Sequence, residues 1–211
     1  IANLYVTIYE QDHIIPLIGK YLMYYKRFID DGFAVWLHDS DPTIDANNWN
    51  EFKAICNAMG LSWTFKSPRK KLIFMDMTIK IKGERIVTTI YAKPMALYQY
   101  IPPSSCHPPG VLTGLVFGQI LRIYQLCSLS DDIDKELSLF YRRLLVRGYK
   151  PDKLLPLFEK GINNAITYLS LSPEQREARK KAKISKLDER IFLHLPFHPQ
   201  NPPSRFIQHL W

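Results

Sequence analysis

The chain has 211 residues, 46% of them hydrophobic and 13% aromatic, which is the composition of a folded globular protein and excludes a disordered one. Its formal net charge of +8 favours a partner with negative charge, such as nucleic acid. No apolar run is long enough to span a membrane and no signal peptide opens the chain, so we expect an intracellular protein without a membrane partner, in the nucleus or the cytoplasm. Its three cysteines, Cys56, Cys106 and Cys127, are widely spaced, which predicts reduced thiols and neither a zinc site nor a disulfide framework.

The first predicted elements are a helix within residues 1–18 and a β-hairpin within residues 21–37. The hairpin region has aromatic and β-branched residues on both sides of Asp30, Asp31 and Gly32. An Asp-Gly step between two such runs is typical of a tight turn. We therefore predict two strands and their turn, at residues 24–28, 33–37 and 29–32 respectively.

The next stretch predicts a helix and further strands. Apolar residues at helical spacing predict a helix at residues 49–59 after a polar loop at residues 39–48, with Asn47 or Asn48 at its start and Gly60 at its end. Alternating apolar and polar residues predict a strand at residues 61–65. After a basic turn at residues 67–71, a second strand would carry on one side Ile73, Met75, Met77, Ile79 and Ile81. The step Lys82-Gly83-Glu84 would turn it into a last strand at residues 86–91. This order predicts an α+β fold with an antiparallel sheet backed by a helix.

Beyond Pro94 the pattern changes from α+β to α-helical. A proline-rich linker surrounds Cys106 and His107, and three amphipathic stretches then predict helices at residues 111–128, 132–146 and 153–169. Ser130 or Asp131 would cap the second helix, and Gly148 would end it. A charged helix or arm at residues 174–190 precedes an extended, proline-rich tail. We therefore divide the chain into three parts, at residues 1–94, 95–172 and 173–211.

Asp30 and Asp31 are the sharpest candidates for a functional site. Rigid aromatic strands on each side would hold their carboxylates in fixed positions, as a metal site requires. Hard oxygen ligands suit Mg²⁺, which is usually bound by one or two carboxylates together with waters and substrate phosphates. The alternative is an ordinary turn, because aspartate and glycine are common turn residues.

Residues 25–36 resemble the Tyr/Phe-x-Asp-Asp hairpin of reverse transcriptases, and those of Penelope-like retroelements in particular. Further stretches of this chain are similar to motifs of the same group and occur in the same order. The resemblance covers nearly the whole sequence. These stretches are Ala2-Asn3-Leu4-Tyr5 with Glu10, Phe74-Met75-Asp76-Met77-Thr78-Ile79, Tyr91-Ala92-Lys93-Pro94, Tyr100 through Cys106-His107-Pro108, Ser128, Phe140, Arg147-Gly148-Tyr149 and Phe197-His198-Pro199.

The resemblance implies that residues 1–94 are the distal half of a polymerase palm and that residues 95–172 are its helical thumb. Asp30 would be the principal ligand of Mg²⁺ (or Mn²⁺), and Asp31 its supporting or second carboxylate. The activity implied is RNA-directed DNA polymerisation, a nucleotidyl transfer from deoxynucleoside triphosphates that extends a DNA primer on an RNA template.

The resemblance also implies contacts to nucleic acid. The primer-grip strand would comprise Phe74, Met75, Asp76 and Met77. Lys71, with Lys70 beside it, would lie near the phosphates of the incoming nucleotide and neutralise charge or donate a proton, although a solvated basic turn is an equal alternative. Cations on the predicted thumb would contact the backbone of the primer–template duplex, or would lie on an ordinary solvated helix face. They are Arg122, Arg142, Arg143, Arg147, Lys150 and Lys153.

Two features of such polymerases find no counterpart before Asp30. They need another metal-binding aspartate on an earlier palm strand and a glutamine-containing template motif, whereas Asp12 is the only earlier aspartate and its surroundings predict helix or loop. We therefore expect the chain to be part of a longer protein, in which a GIY-YIG endonuclease domain could follow, and to be inactive by itself. The alternatives are a non-catalytic nucleic-acid-binding remnant of a retroelement and an unrelated α+β interaction module.

Overall fold

The computed structural model describes residues 2–108 and 110–188, and it divides into two compact units. The first unit extends to Ile86, and the second begins at Val87. The fold is α+β, as the sequence predicts, and its helices accompany two small antiparallel sheets. None of the helices in the described part of the chain has the length and apolarity that crossing a membrane requires.

The first unit begins with the predicted helix and hairpin. Helix α1 (Ala2–Tyr9) continues into a π-helical turn (Glu10–Ile14) and a 3-10 turn (Ile15–Leu17). Strands β1 (Leu22–Phe28) and β2 (Asp31–Trp36) then pair antiparallel. The hairpin is confirmed, but its turn is shorter than predicted, because Phe28 pairs with Asp31 and only Ile29 and Asp30 remain between the strands.

Helix α2 (Pro42–Asn57) begins earlier than the sequence predicts. The Asp41 carboxylate accepts hydrogen bonds from the backbone N–H groups of Thr43, at 2.7 Å, and Ile44, at 3.4 Å. This cap and a proline in the first turn start the helix where a polar loop was predicted. The predicted caps at Asn47 and Asn48 are therefore wrong, since both residues lie inside the helix.

Residues 61–65, all of which the structure describes, form no strand, contrary to the prediction. Their alternation has another cause. Trp63 and Phe65 pack against the hydrophobic core of the first unit, and the Phe65 ring lies 5.9 Å from the Trp49 ring of α2. The backbone N–H of Trp63 donates to the Asn57 side chain, at 2.9 Å, so no neighbouring strand is needed to satisfy it.

A second sheet contains strands β3 (Lys71–Phe74), β4 (Met77–Lys82) and β5 (Arg85–Ile90), in that order. The single strand predicted across this region is wrong, because Phe74 pairs with Met77 and the chain reverses at Met75 and Asp76. The predicted turn after β4 is confirmed, with Gly83 at a φ of 61°. The predicted single sheet is thus two separate sheets.

The core of the first unit lies between α1, the π-helical and 3-10 turns, the β1–β2 hairpin and α2. Aromatic rings dominate it, and the Trp36 ring lies 5.0 Å from the Trp49 ring and 5.7 Å from the Phe52 ring. Burying such side chains supplies the main driving force for folding. The buried residues are Val6, Ile14, Leu17, Tyr21, Leu22, Phe52, Cys56 and Met59.

The second unit contains the three predicted helices, α3 (Val111–Leu126), α4 (Ser130–Val146) and α5 (Pro151–Ser170), followed by α6 (Pro173–Asp188). Leu129 occupies the N-cap position of α4 without a side-chain bond, so the predicted cap at Ser130 or Asp131 is wrong. Gly148, at a φ of 95°, follows the end of α4 as predicted. The proline-rich tail, including residues 197–199 of the resemblance, lies outside the described residues, as does the predicted end of α6 at Arg190.

The core of the second unit is formed mainly by α3, α4 and α5. Helices α3 and α5 approach closely at Gly161, where an added Cβ would meet Ile120 Cδ1 at 2.7 Å. The end of β5 also belongs to this unit: the backbone N–H of Thr88 donates to Ser128 Oγ at 2.9 Å, and Ile90 packs against the core. The buried residues are Val116, Ile120, Ile123, Cys127, Phe140, Leu144, Tyr149, Leu154, Phe158 and Ala165.

Candidate functional site

The tetrad at residues 28–31 forms the tip of the β1–β2 hairpin. Asp30 lies in the two-residue turn and Asp31 is the first residue of β2; both are exposed. Neither carboxylate has a hydrogen-bond or ion-pair partner among the residues that the structure describes. Two adjacent carboxylates at the end of a hairpin are therefore available to a cation in solution.

The turn has an unusual backbone at Ile29, which has a φ of 53°. A positive φ is costly for a β-branched residue, and such conformations persist only where the surroundings impose them. Such residues concentrate at functional sites. The conformation of Ile29 fixes the direction in which the chain leaves the turn, and hence the position of Asp30.

Arg27 connects this turn to α1 and the π-helical turn that follows it. Its Nε donates to Glu10 Oε1 at 2.6 Å, its Nη1 to Asn3 Oδ1 at 2.7 Å and its Nη2 to Thr7 Oγ1 at 3.1 Å. The same Nη1 also donates to the backbone carbonyl of Ile29. A single guanidinium thus contacts the turn and three side chains of the N-terminal segment.

The Glu10 carboxylate, which accepts the hydrogen bond from Arg27, is buried. Its Oε1 also accepts a hydrogen bond from the Tyr25 hydroxyl at 2.6 Å. Burial, and then the contact with Glu10, raise the pKa of Tyr25, so this phenol stays protonated at neutral pH. The hydrogen bond to Glu10 raises the pKa of Arg27, which keeps its charge. The sequence pointed to Glu10 only as part of the resemblance to reverse transcriptases, and its pairing with Arg27 was not predicted.

The predicted primer-grip residues form a second hairpin tip. Phe74 ends β3, Met77 begins β4, and the exposed Met75 and Asp76 form a two-residue turn in which Met75 also has a φ of 53°. The Phe74 ring centroid lies 5.5 Å from that of Phe33 on β2. The structure therefore brings the two hairpins into contact through these rings, although it replaces the predicted strand by a turn.

Lys70 and Lys71 lie at the other end of β3. Lys71 begins the strand and pairs with Lys80, and the Lys70 carbonyl accepts a hydrogen bond from the backbone N–H of Ile81 at 2.8 Å. Both side chains are exposed. At roughly 3.3 Å per residue, the Lys71 Cα is about 10 Å along the strand from Phe74. The structure thus separates these lysines from the turn at Met75 and Asp76.

Two of the predicted thumb arginines bind the protein itself. The Arg143 guanidinium lies over the Tyr98 ring, 3.5 Å from its centroid, and Arg147 Nε donates to the Tyr100 carbonyl at 2.7 Å. The Tyr149 hydroxyl donates to the Ile101 carbonyl at 2.8 Å. These three side chains hold residues 98–101, which we call the strap, against the end of α4.

The remaining predicted thumb cations are exposed. Arg122 lies on α3, and Arg142 lies near the end of α4. Lys150 and Lys153 lie at the start of α5. Val146, which is 86% exposed, lies on the last turn of α4 between Arg142 and Lys150 in the sequence. The turn from α4 to α5 therefore presents cationic side chains to solvent, which suits contact with a polyanion.

The donor set at the tetrad fits one part of a magnesium site. Among the described residues there is no group of three or more histidine, cysteine, aspartate or glutamate side chains that could hold a metal ion. Two carboxylates are nevertheless as many as the protein usually supplies to Mg²⁺ where phosphates and waters complete the coordination. Asp30 and Asp31 fit that more limited role.

Comparison with known families gives one match, in the second unit. Residues 99–155 match a family described as an animal helix-turn-helix domain. The matched stretch includes most of the strap, all of α3 and α4, and the beginning of α5. No curated protein and no solved structure matches the chain significantly.

Proposed function

We propose that the chain is the distal palm and the thumb of an RNA-directed DNA polymerase of the reverse-transcriptase type, from a Penelope-like retroelement. The observation that carries this proposal is the position of Asp30, at the tip of a hairpin whose turn is constrained at Ile29 and contacted by Arg27. An exposed pair of carboxylates on a turn whose backbone is constrained suits a catalytic metal better than an ordinary surface turn does.

In this proposal Asp30 and Asp31 would hold Mg²⁺ or Mn²⁺ together with the triphosphate of the incoming deoxynucleotide. In a complete two-metal site, the two ions together would activate the primer 3′ hydroxyl and stabilise the leaving oxygen. The chain's own residues supply the negative charge that attracts the ion and a backbone that does not need to rearrange around it. The contact between Phe33 and Phe74 would keep the second hairpin, our candidate primer grip, beside the first.

The second unit would hold the primer–template duplex. Its exposed cations at the α4–α5 turn, Arg142, Lys150 and Lys153, suit contacts with phosphates, which position a duplex without reading its sequence. The match to a helix-turn-helix family is compatible with nucleic-acid binding by the same helices. Arg143 and Arg147 are assigned a different role here, because they hold the strap.

The site in this chain is incomplete for polymerisation. Two adjacent carboxylates do not hold two metals, and the described residues offer no third carboxylate beside them. We therefore expect the chain by itself to bind a divalent cation weakly and to synthesise no DNA. An aspartate supplied by another palm strand would complete the site.

The experiment is a titration of the isotope-labelled chain with Mn²⁺, observed by NMR. Paramagnetic broadening should concentrate at the amides of Asp30 and Asp31, and Asp30→Asn should abolish it. The charge-matched control is Asp134→Asn, which removes an exposed carboxylate of α4 and should leave the broadening at the tetrad unchanged. Equal broadening in Asp30→Asn and the unaltered chain would contradict the metal role.

The second candidate is a non-catalytic nucleic-acid-binding protein, and the helix-turn-helix match favours it. The two candidates differ once the upstream palm is present. A chain extended to include an aspartate-bearing strand should extend a DNA primer on RNA under the first proposal. Tight binding of the duplex without any extension would favour the second.

A further inference from the structure

We propose that Arg27 is a positioning residue for the metal ligand Asp30, and that its pairing with Glu10 fixes the guanidinium so that it holds the Ile29 turn. The inference rests on the proposed metal role of Asp30 and adds a residue to that site. Arg27 would touch neither metal nor substrate. It would act through the backbone of the turn.

The Arg27 guanidinium joins two parts of the chain. Its bonds to Glu10, Asn3 and Thr7 all lead to the N-terminal segment, and its bond to the Ile29 carbonyl leads to the turn. Only a planar group with several donors in fixed directions can make these contacts together. An exposed hairpin tip is thereby tied to a segment that packs in the core.

The ion pair between Arg27 and Glu10 is buried. The side chains of Arg27 and Glu10 are 7% and 9% exposed, so solvent screens their interaction little. The pair lies beside a turn whose Ile29 has a φ of 53°, a conformation that an unconstrained isoleucine avoids. A buried, charge-assisted contact at the carbonyl of that residue is the constraint that the backbone needs.

A pair that only stabilised the fold would not need the contact with Ile29. The two roles can be separated because lysine keeps the charge that Glu10 requires but lacks the planar fork. Arg27→Lys should therefore leave the fold largely intact and release the turn. Lys26→Arg is the matched control: it is a charge-preserving change at the neighbouring, exposed position of β1.

The experiment uses the full 211-residue chain and two NMR measurements. The first is the strong cross-peak between the amide proton and Hα of Ile29, which a positive φ produces. The second is the Mn²⁺ concentration at which the Asp30 amide broadens. We expect Arg27→Lys to lose the cross-peak and to weaken Mn²⁺ binding about tenfold, as the loss of residues that orient metal ligands commonly does. Lys26→Arg should change neither quantity.

The outcomes separate this inference from the metal role itself. If Asp30→Asn abolishes broadening but Arg27→Lys binds Mn²⁺ as the unaltered chain does, the positioning role is overturned and the metal role stands. If the unaltered chain shows no Asp30-dependent broadening, the metal role fails. The Ile29 cross-peak still tests the hold on the turn in that case, because its persistence in Arg27→Lys would show that Arg27 does not fix the turn.

A second variant covers the case in which Arg27→Lys does not fold. The double change Glu10→Gln with Arg27→Gln removes both charges, so it leaves no buried charge without a partner. It too should lose the Ile29 cross-peak and weaken Mn²⁺ binding. Retention of both properties in the folded double variant would overturn the inference.

Discussion

The Phe33 ring on β2 lies 5.5 Å from the Phe74 ring on β3, with 43° between the ring planes, and this contact joins the two hairpins of the first unit. The two hairpins are similar in construction. In each, a phenylalanine ends the first strand and an apolar residue with a φ of 53° begins a two-residue turn. The ring contact therefore lies close in sequence to both turns.

Removing one ring of this contact should destabilise the first unit. Both rings are half-buried, so Phe33→Ala should lower the free energy of unfolding by about 2 kcal/mol, through lost apolar burial and the lost ring pair. Urea unfolding of the chain, observed by tryptophan fluorescence, measures the change. Phe28→Ala, which truncates a 53% exposed ring on the same hairpin, should cost distinctly less. Equal losses of unfolding free energy in the two variants would show that the ring contact adds no stability of its own.

Gly161 should be the least replaceable glycine of the helical core. A Cβ at this position would meet Ile120 Cδ1 at 2.7 Å and Phe117 Cδ1 at 3.3 Å, so α3 and α5 would have to separate. We expect Gly161→Ala to lower the free energy of unfolding by about 1–3 kcal/mol, which thermal or urea unfolding would detect.

The matched control for that change is Gly118→Ala on α3. Nothing lies within 4 Å of the Cβ that it would add, so the variant should gain stability by about 0.5–1 kcal/mol from helix propensity alone. A stabilised Gly161→Ala variant would contradict the close approach of the two helices.

The three thiols should differ in reactivity. Cys106 is exposed, whereas Cys56 and Cys127 are buried. Burial, with the negative charge of Glu10, raises the pKa of the Cys56 thiol to about 12. At pH 8 its thiolate fraction is therefore on the order of 10⁻⁴, and only the thiolate attacks disulfide reagents. A disulfide reagent should modify Cys106 rapidly and Cys56 only after denaturation; rapid labelling of Cys106→Ser in the native state would contradict this.

The exposed cations of the α4–α5 turn should control affinity for nucleic acid. The triple change Arg142→Ala, Lys150→Ala and Lys153→Ala should weaken binding of an RNA–DNA duplex at any sequence. It should reduce the slope of log affinity against log salt by about 1 for each lost phosphate contact. Fluorescence anisotropy with a labelled duplex, repeated over a range of salt concentrations, measures both quantities.

A charge-matched control separates a local contact from the total charge. Lys80, Lys82 and Lys160 are exposed elsewhere, and their replacement by alanine removes the same three charges. The salt slope of this control variant should stay near that of the unaltered chain. Equal effects of the two triple changes would mean that net charge, and not the α4–α5 turn, governs binding.

Local patterns sufficed to predict the helices of the second unit and the existence of the first hairpin. Periodic apolar residues mark α3, α4 and α5, because each helix buries one face. The start of α2 was also readable, since an aspartate followed by proline is a helix-start signal, but the many polar residues of its first turns suggested a loop.

The details of both hairpin turns could not be predicted in the same way. Turn chemistry favours Asp31-Gly32 as the centre of the first turn, yet Ile29 and Asp30 occupy it. The carbonyl of Ile29 is held by Arg27, whose own position depends on Glu10, far away in the sequence. The turn at Met75 and Asp76 contains neither glycine nor proline, so it gives no local signal. For the first turn, a contact between distant residues therefore explains what local turn chemistry could not predict.

The strap has a practical consequence for anyone who wishes to produce the helical unit separately. The helix-turn-helix match begins at residue 99, but Tyr98, which stacks on Arg143, lies just before it. Still earlier in the chain, Thr88 bonds to Ser128 between α3 and α4, and Ile90 packs against the helical core. An expression boundary drawn at the match would cut away these contacts and expose the apolar surface beneath them. A boundary at Val87 would keep them.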